Sequence, residues 1–144
     1  MKVLKVLILS ASFFGLLTFA EGVNTSQRIC STHYYVVEPV KLMPVLLKHY
    51  KELNLSKEQR EEIKRLIREI KPVAVALDIR IDRLSREVRK DMLSNSDFYL
   101  VKSELNTLAA LKVEKSLLNY KCIKSLKRIL TEEQFRKLLR LAGY

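Results

Sequence analysis

Glycine is almost missing from this 144-residue chain, which holds only Gly15, Gly22 and Gly143. Without it no Gly-rich loop can cradle a phosphate, and tight β-hairpin turns have almost no material. Proline occurs three times, at Pro39, Pro44 and Pro72, so long helices meet few breaks. There are two histidines, His33 and His49. That leaves no His-rich tract and no His-x-x-x-His pair to set two imidazoles on one helix face. No Ser/His/Asp set or nucleophile elbow is visible, and acid pairs such as Glu61-Glu62 and Glu132-Glu133 are explained by helix first turns. The chain is therefore read as a non-enzyme without a cofactor. No apolar run approaches the roughly 20 residues of a membrane span. Acid is scarce as well: 16 Asp and Glu stand against 27 Lys and Arg, a net charge of +11.

The longest apolar stretch, Val6 to Leu17, follows Lys2 and Lys5 and precedes Thr18-Phe19-Ala20. This is the layout of a cleavable signal peptide over residues 1–20, with cleavage after Gly22 as the alternative. Cys30 is not preceded by a lipobox, so lipid attachment is not expected there. The expected organisation is a signal peptide (1–20), a flexible N-terminal segment (21–37) and one all-α domain (38–144). Loss of the first 20 residues leaves +9, because that stretch holds only Lys2 and Lys5. Export argues against nucleic acid as the partner of this charge. Anionic lipid headgroups, acidic polypeptides or acidic unfolded chains remain.

Beyond a short strand-like Tyr34-Tyr35-Val36-Val37, the pattern is helical. A first helix is expected within Glu38–Leu53, with Pro39 or Pro44 in its first turn. A second starts at Ser56 and runs to about Leu93. Its seam steps 4-3-4-3 through Ile63, Ile67, Ile70, Ala74, Leu77, Ile81, Leu84 and Val88. Pro72 should kink it near Arg68–Pro72, or else split it into two helices. A third helix is expected over Asp97–Ile129, with a looser seam of Val101, Leu105, Leu108, Leu111, Leu118, Cys122, Leu126 and Ile129. The short link Ser94-Asn95-Ser96-Asp97 implies an antiparallel hairpin. The fourth helix starts at Thr131.

One phrase occurs twice. Leu55-Ser56-Lys57-Glu58-Gln59 returns 75 positions later as Leu130-Thr131-Glu132-Glu133-Gln134. Each copy is a capping box, with a hydroxyl N-cap and a Gln at N3 that reaches back to the N-cap N–H. Leu130 and Phe135 add a hydrophobic staple to the second copy.

These paired motifs, with the signal-like start, the basic chain and the long helical hairpin between them, resemble the Spy/CpxP family of periplasmic proteins. That family is marked by two Leu-Thr-x-x-Gln motifs. The second copy here matches fully and the first has Ser56 for Thr. The resemblance spans roughly Glu38 to Leu141. It implies an all-α, cradle-like homodimer of four-helix chains built on a long, bent antiparallel hairpin, located in the periplasm. It also implies ATP-independent chaperoning of unfolded or misfolded envelope proteins, or docking on the sensor domain of an envelope-stress kinase. A related branch of heavy-metal-binding sensors supplies the alternative function. Contact with an anionic membrane surface is a further partner option.

Three residue sets follow. Lys112 to Arg140 holds nine Lys and Arg against three acids, and Lys121, Lys124 and Arg128 should form one stripe. Arg60, Lys64 and Arg68 lead the basic residues of the second helix. Together these six are the candidate client-binding surface; the plainer reading is a solvated face with ion pairs such as Glu61–Arg65 and Asp82–Arg86. Cys30 and Cys122 are the only cysteines. In an exported chain an even count points to a bridge; intermolecular pairing and free thiols stay open. For metal, Cys30 and His33 have the spacing of a weak Cys-x-x-His ligand pair, with a disulfide cysteine and a solvated histidine as the plainer reading. Tyr34, Tyr35, Tyr50, Phe98 and Tyr99 are expected to serve packing.

Overall fold

The structure, a computed structural model, describes residues 32–144. The expected signal segment, most of the N-terminal segment and Cys30 lie outside the described residues. All regular structure among the described residues is helical. A 3₁₀ turn at Thr32–Tyr34 precedes four α-helices: α1 (Leu42–Lys48), α2 (Lys57–Leu93), α3 (Phe98–Ile129) and α4 (Glu132–Leu141).

The helices start where the capping chemistry puts them. Ser56, Asp97 and Thr131 are the N-caps of α2, α3 and α4, each extended in backbone and each accepting first-turn N–H groups. Pro44 sits in the first turn of α1, where a missing N–H costs nothing. The turn into α2 is made by Asn54, whose φ of 47° lies in the left-handed region that Asn tolerates.

Pro72 lies inside α2, and the helix continues through it, so the alternative of two shorter helices does not occur. Pro72 and Arg68, whose carbonyl loses its i+4 partner, are both exposed. Water can satisfy that carbonyl, which is why an interior proline is tolerated here. At 1.5 Å per residue α2 is roughly 55 Å long.

The helices α2 and α3 run antiparallel. Glu69 meets Lys121, while Ala74 and Asp78 meet Lys115, so numbers rise on one helix as they fall on the other. All four helices converge at one end on a cluster of Leu42, Leu46, Leu53, Leu55, Ile63, Leu66, Leu126, Leu130 and Leu138. Beyond it the α2–α3 pair projects alone, held midway by Tyr34, Leu77, Ile81 and Leu111. The α2 seam is buried largely as its heptad predicts. Near the four-helix end, however, Leu66 is buried and Ile67 only partly so, because α1 and α4 add packing partners there.

Packed structure begins before residue 38, the expected start of the domain. Residues 33–40 form a strap across one face of the pair. Tyr34 is buried, and its hydroxyl donates to Asp82 Oδ2 (3.0 Å). The Val36 N–H donates to Ser116 Oγ (3.1 Å). Asn119 holds Val40 at both backbone atoms: its Oδ1 accepts from the N–H and its Nδ2 donates to the carbonyl, each at 3.1 Å. The strand-like Tyr34–Val37 run thus finds side-chain partners on helices instead of a second strand.

Candidate functional site

The two copies of the repeated phrase meet. Gln59 Oε1 accepts from the Ser56 N–H (2.9 Å), and Gln134 Oε1 accepts from the Thr131 N–H (2.9 Å), so both capping boxes form. The two amides then pair with each other. Gln59 Nε2 donates to Gln134 Oε1 at 2.8 Å, and Gln134 Nε2 donates to Gln59 Oε1 at 3.3 Å. Each amide also reaches the backbone ahead of the other motif. Gln59 Nε2 donates to the Ile129 carbonyl (3.0 Å), and Gln134 Nε2 donates to the Leu53 and Asn54 carbonyls (3.0 and 3.4 Å). Ile129 and Asn54 are themselves 75 positions apart, so the clasp is reciprocal. Both oxygens and both NH₂ groups are fully used. Glutamate at N3 would cap equally well but could not donate, and two glutamates here would repel. Leu55 and Leu130, the first residues of the motifs, are buried beneath the clasp in one cluster.

Midway along the pair, Lys115 occupies a core position. It is 1% exposed. Its Nζ lies 2.7 Å from Asp78 Oδ1 and donates to the Ala74 carbonyl at 3.0 Å. The Tyr35 ring of the strap covers it, with the centroid 5.6 Å from Nζ. Burial pushes the Asp78 carboxyl above its ordinary range, and Lys115 pulls it part of the way back. The sequence held one signal for this residue: a 4-3 seam passing from Leu111 to Leu118 requires an occupant at 115. Asp82, Ser116 and Asn119 carried no such signal, because their partners are on the strap, and Asp78 carried none because its partner Lys115 is on the other helix.

The strap makes the two faces of the pair unlike. The other face is an open groove of about 360 Å³, lined by Val73, Ala76 and Arg80 of α2 and by Leu117, Leu118 and Lys121 of α3, with Glu114 at its edge. Val73 and Leu117 are exposed along it, and Tyr120 and Val113 are exposed nearby on α3.

The six candidate basic residues do not gather on one face. Lys121 lines the groove and pairs with Glu69 at 3.0 Å. Lys124 and Arg128 are exposed further along α3. On α2, Arg60 and Lys64 are turned about 160° from Arg80 at 100° per residue, and Arg68 about 120°. They belong to the far side of the helix, where Lys64 pairs with Glu61 at 2.8 Å and Arg68 stands among Glu61, Glu62 and Arg65. The expected Glu61–Arg65 and Asp82–Arg86 pairs do not form. Glu61 takes Lys64, Glu62 takes Arg65, and Asp82 faces the strap's Tyr34 and His33. Such exposed pairs contribute ~1 kcal/mol or less.

Near the far end of the pair, acids cluster between the helices. Burial, then the facing Asp91 and Glu87, push the Glu104 carboxyl above its ordinary range.

Cys122 is partly buried against the four-helix cluster. The expected Cys30–Cys122 bridge and the Cys30–His33 ligand pair involve a residue outside the described ones. His33 Nε2 lies 3.9 Å from Asp82 Oδ1, and His49 Nδ1 lies 2.6 Å from Glu52 Oε1. Among the described residues no three His, Cys, Asp or Glu side chains group to hold a metal ion, and no helix is long and apolar enough to cross a membrane. No family model, curated protein or solved structure matches this chain.

Proposed function

We propose that this protein is an ATP-independent chaperone or envelope-stress regulator of the Spy/CpxP type. In this reading residues 1–20 export it to the periplasm. The α2–α3 hairpin, bent at Pro72, forms half of a dimeric cradle that holds unfolded envelope proteins or a sensor-kinase domain. The observation that carries the proposal is the open groove: exposed Val73 and Leu117 beside Arg80 and Lys121, on a helix pair whose other face is occupied by the strap. Unfolded chains offer apolar segments to such a groove. The groove's own charges nearly balance, since Glu114 and Glu69 stand against Arg80 and Lys121. Steering therefore falls to the net positive charge of the whole chain, which raises encounter rates with acidic clients.

The test is suppression of client aggregation, followed by light scattering without nucleotide. Suppression should persist in a metal chelator, weaken several-fold between 50 mM and 500 mM salt, and lose about a third of that salt dependence in the triple variant Lys121→Ala, Lys124→Ala, Arg128→Ala, in proportion to the charge removed. A suppression that requires added metal ion would replace this reading with that of a metal-responsive sensor. Salt sensitivity unchanged in the triple variant would remove the steering role from these three residues.

A further inference from the structure

The turn between α1 and α2 carries a side chain that the fold does not use. Asn54-Leu55-Ser56 is an Asn-x-Ser triplet, the acceptor pattern for N-linked glycosylation in an exported chain. Glu52 stands two places ahead, where bacterial transferases favour an acid. The other triplet, Asn24-Thr25-Ser26, has Gly22 at that place and lies outside the described residues.

Such triplets are common, and the setting distinguishes this one. Asn54 is exposed between buried Leu53 and Leu55, so its side chain stands clear of the core. The fold holds Asn54 by its backbone. Its N–H donates to the Lys51 carbonyl (3.3 Å), and its carbonyl accepts from Gln134 Nε2 (3.4 Å). Its side-chain amide has no hydrogen-bond partner among the described residues. At a φ of 47° glycine would serve the turn at less cost. The amide is thus surplus to the turn, and it is the group that glycosylation uses.

Ser56 has two uses. In the folded chain its Oγ accepts the Gln59 N–H at 3.1 Å as the N-cap of α2. A transferase reads the same hydroxyl in an acceptor that is not yet folded. The folded turn is pinned by α4: Gln134 Nε2 donates to the Leu53 and Asn54 carbonyls, and Lys137 Nζ donates to the Glu52 carbonyl at 2.6 Å. The Glu52 carboxylate is taken by His49 Nδ1, also at 2.6 Å. Transfer therefore belongs to the interval between export and closure of the clasp.

We propose that Asn54 is an acceptor for an N-linked oligosaccharide, added before Gln59 and Gln134 meet. The transferase joins Asn54 Nδ2 to C1 of the first sugar of a polyprenyl-pyrophosphate-linked donor. The bond from C1 to the pyrophosphate oxygen breaks, the lipid pyrophosphate leaves with the electron pair, and one amide proton is released. The site rests on the export reading of residues 1–20 and not on client binding in the groove.

The test expresses the chain in cells that hold a bacterial oligosaccharyltransferase and its lipid-linked donor. One arm keeps residues 1–20, and the other replaces them with a signal peptide of known function. Mass spectrometry of the tryptic peptide 52–57 should show one added glycan in both arms. A glycan in the second arm alone would refute the signal reading of residues 1–20 and still support Asn54. Asn54→Asp, which tolerates the left-handed turn, and Ser56→Asp, which keeps the N-cap, should each abolish the glycan. Ser56→Thr should retain it. The purified folded protein, offered to the same enzyme and donor, should react about tenfold more slowly than a synthetic peptide of residues 50–58, because local opening must come first. Equal rates would overturn the order of transfer and folding. A bare peptide 52–57 in the second arm, in cells that glycosylate a reference acceptor protein, would overturn the proposal.

Discussion

Replacing Lys115 with alanine is expected to destabilise the protein by about 3–5 kcal/mol at neutral pH, the cost of breaking one side of a buried ion pair. The substitution leaves the Asp78 carboxylate, 13% exposed, without its counter-charge. It also opens a cavity between Ala74 and the Tyr35 ring that now closes over Nζ. The effect has a pH signature. The folded-state pKa of Asp78 is already raised, with Lys115 holding it down in part. Without Lys115 it rises further, so the folded variant takes up a proton at a pH where the unfolded chain does not. Stability of the variant therefore improves as pH falls from neutral towards the ordinary carboxylate range, and its deficit against the parent shrinks. Urea unfolding at pH 7 and pH 5 measures both. A deficit under 1 kcal/mol, or one independent of pH, would show that the pair does not hold the middle of the helices together. The double replacement Lys115→Met, Asp78→Leu should recover most of the loss, since a packed apolar pair dispenses with the desolvation of both ions.

The second large effect concerns the clasp. Gln134→Glu should cost about 2–3 kcal/mol, well above the ~1 kcal/mol expected for Thr131→Ala, which removes one cap acceptor. Glutamate keeps the bond from the Thr131 N–H but removes the donor to Gln59 and to the Leu53 and Asn54 carbonyls. It also sets an anion against Gln59 Oε1. A double-mutant cycle between Gln59→Ala and Gln134→Ala isolates the contact between the amides, and about 0.5–3 kcal/mol of coupling is expected. Additive losses would mean that the motifs act as two separate caps.

This clasp marks the division between what was legible in the sequence and what was not. Both capping boxes and the ends of α2 at Leu93 and α3 at Ile129 follow from local chemistry, and they lie where the residues put them, while Asp97, expected as the first residue of its helix, is the N-cap just before it. Local chemistry could not say that Gln59 and Gln134 meet, because that depends on how the α2–α3 pair folds back. Lys115 was half legible: its seam position follows from spacing, but a lysine there looks solvated until Asp78 is found beside it. The strap was least legible. Tyr34, Val36 and Val40 bond to residues 48 to 80 positions away, and the competition of Tyr34 for Asp82 displaced the expected pair with Arg86. The candidate basic residues dispersed for a simpler reason: rotation along α2 carries Arg60, Lys64 and Arg68 away from the groove that Lys121 lines. Phe98 and Tyr99, expected to pack, stand exposed because nothing extends beyond the link between α2 and α3 to cover them.

The claim on which the functional account turns is that the open groove receives unfolded chain. The variant Val73→Ser, Leu117→Ser tests it most directly, because both side chains are exposed and their loss should leave the melting temperature within a few degrees. Aggregation suppression without nucleotide should fall at least fivefold in this variant, while Val36→Ser, Val37→Ser on the exposed part of the strap should leave it unchanged. Full suppression by the groove variant at an unchanged melting temperature would contradict the account.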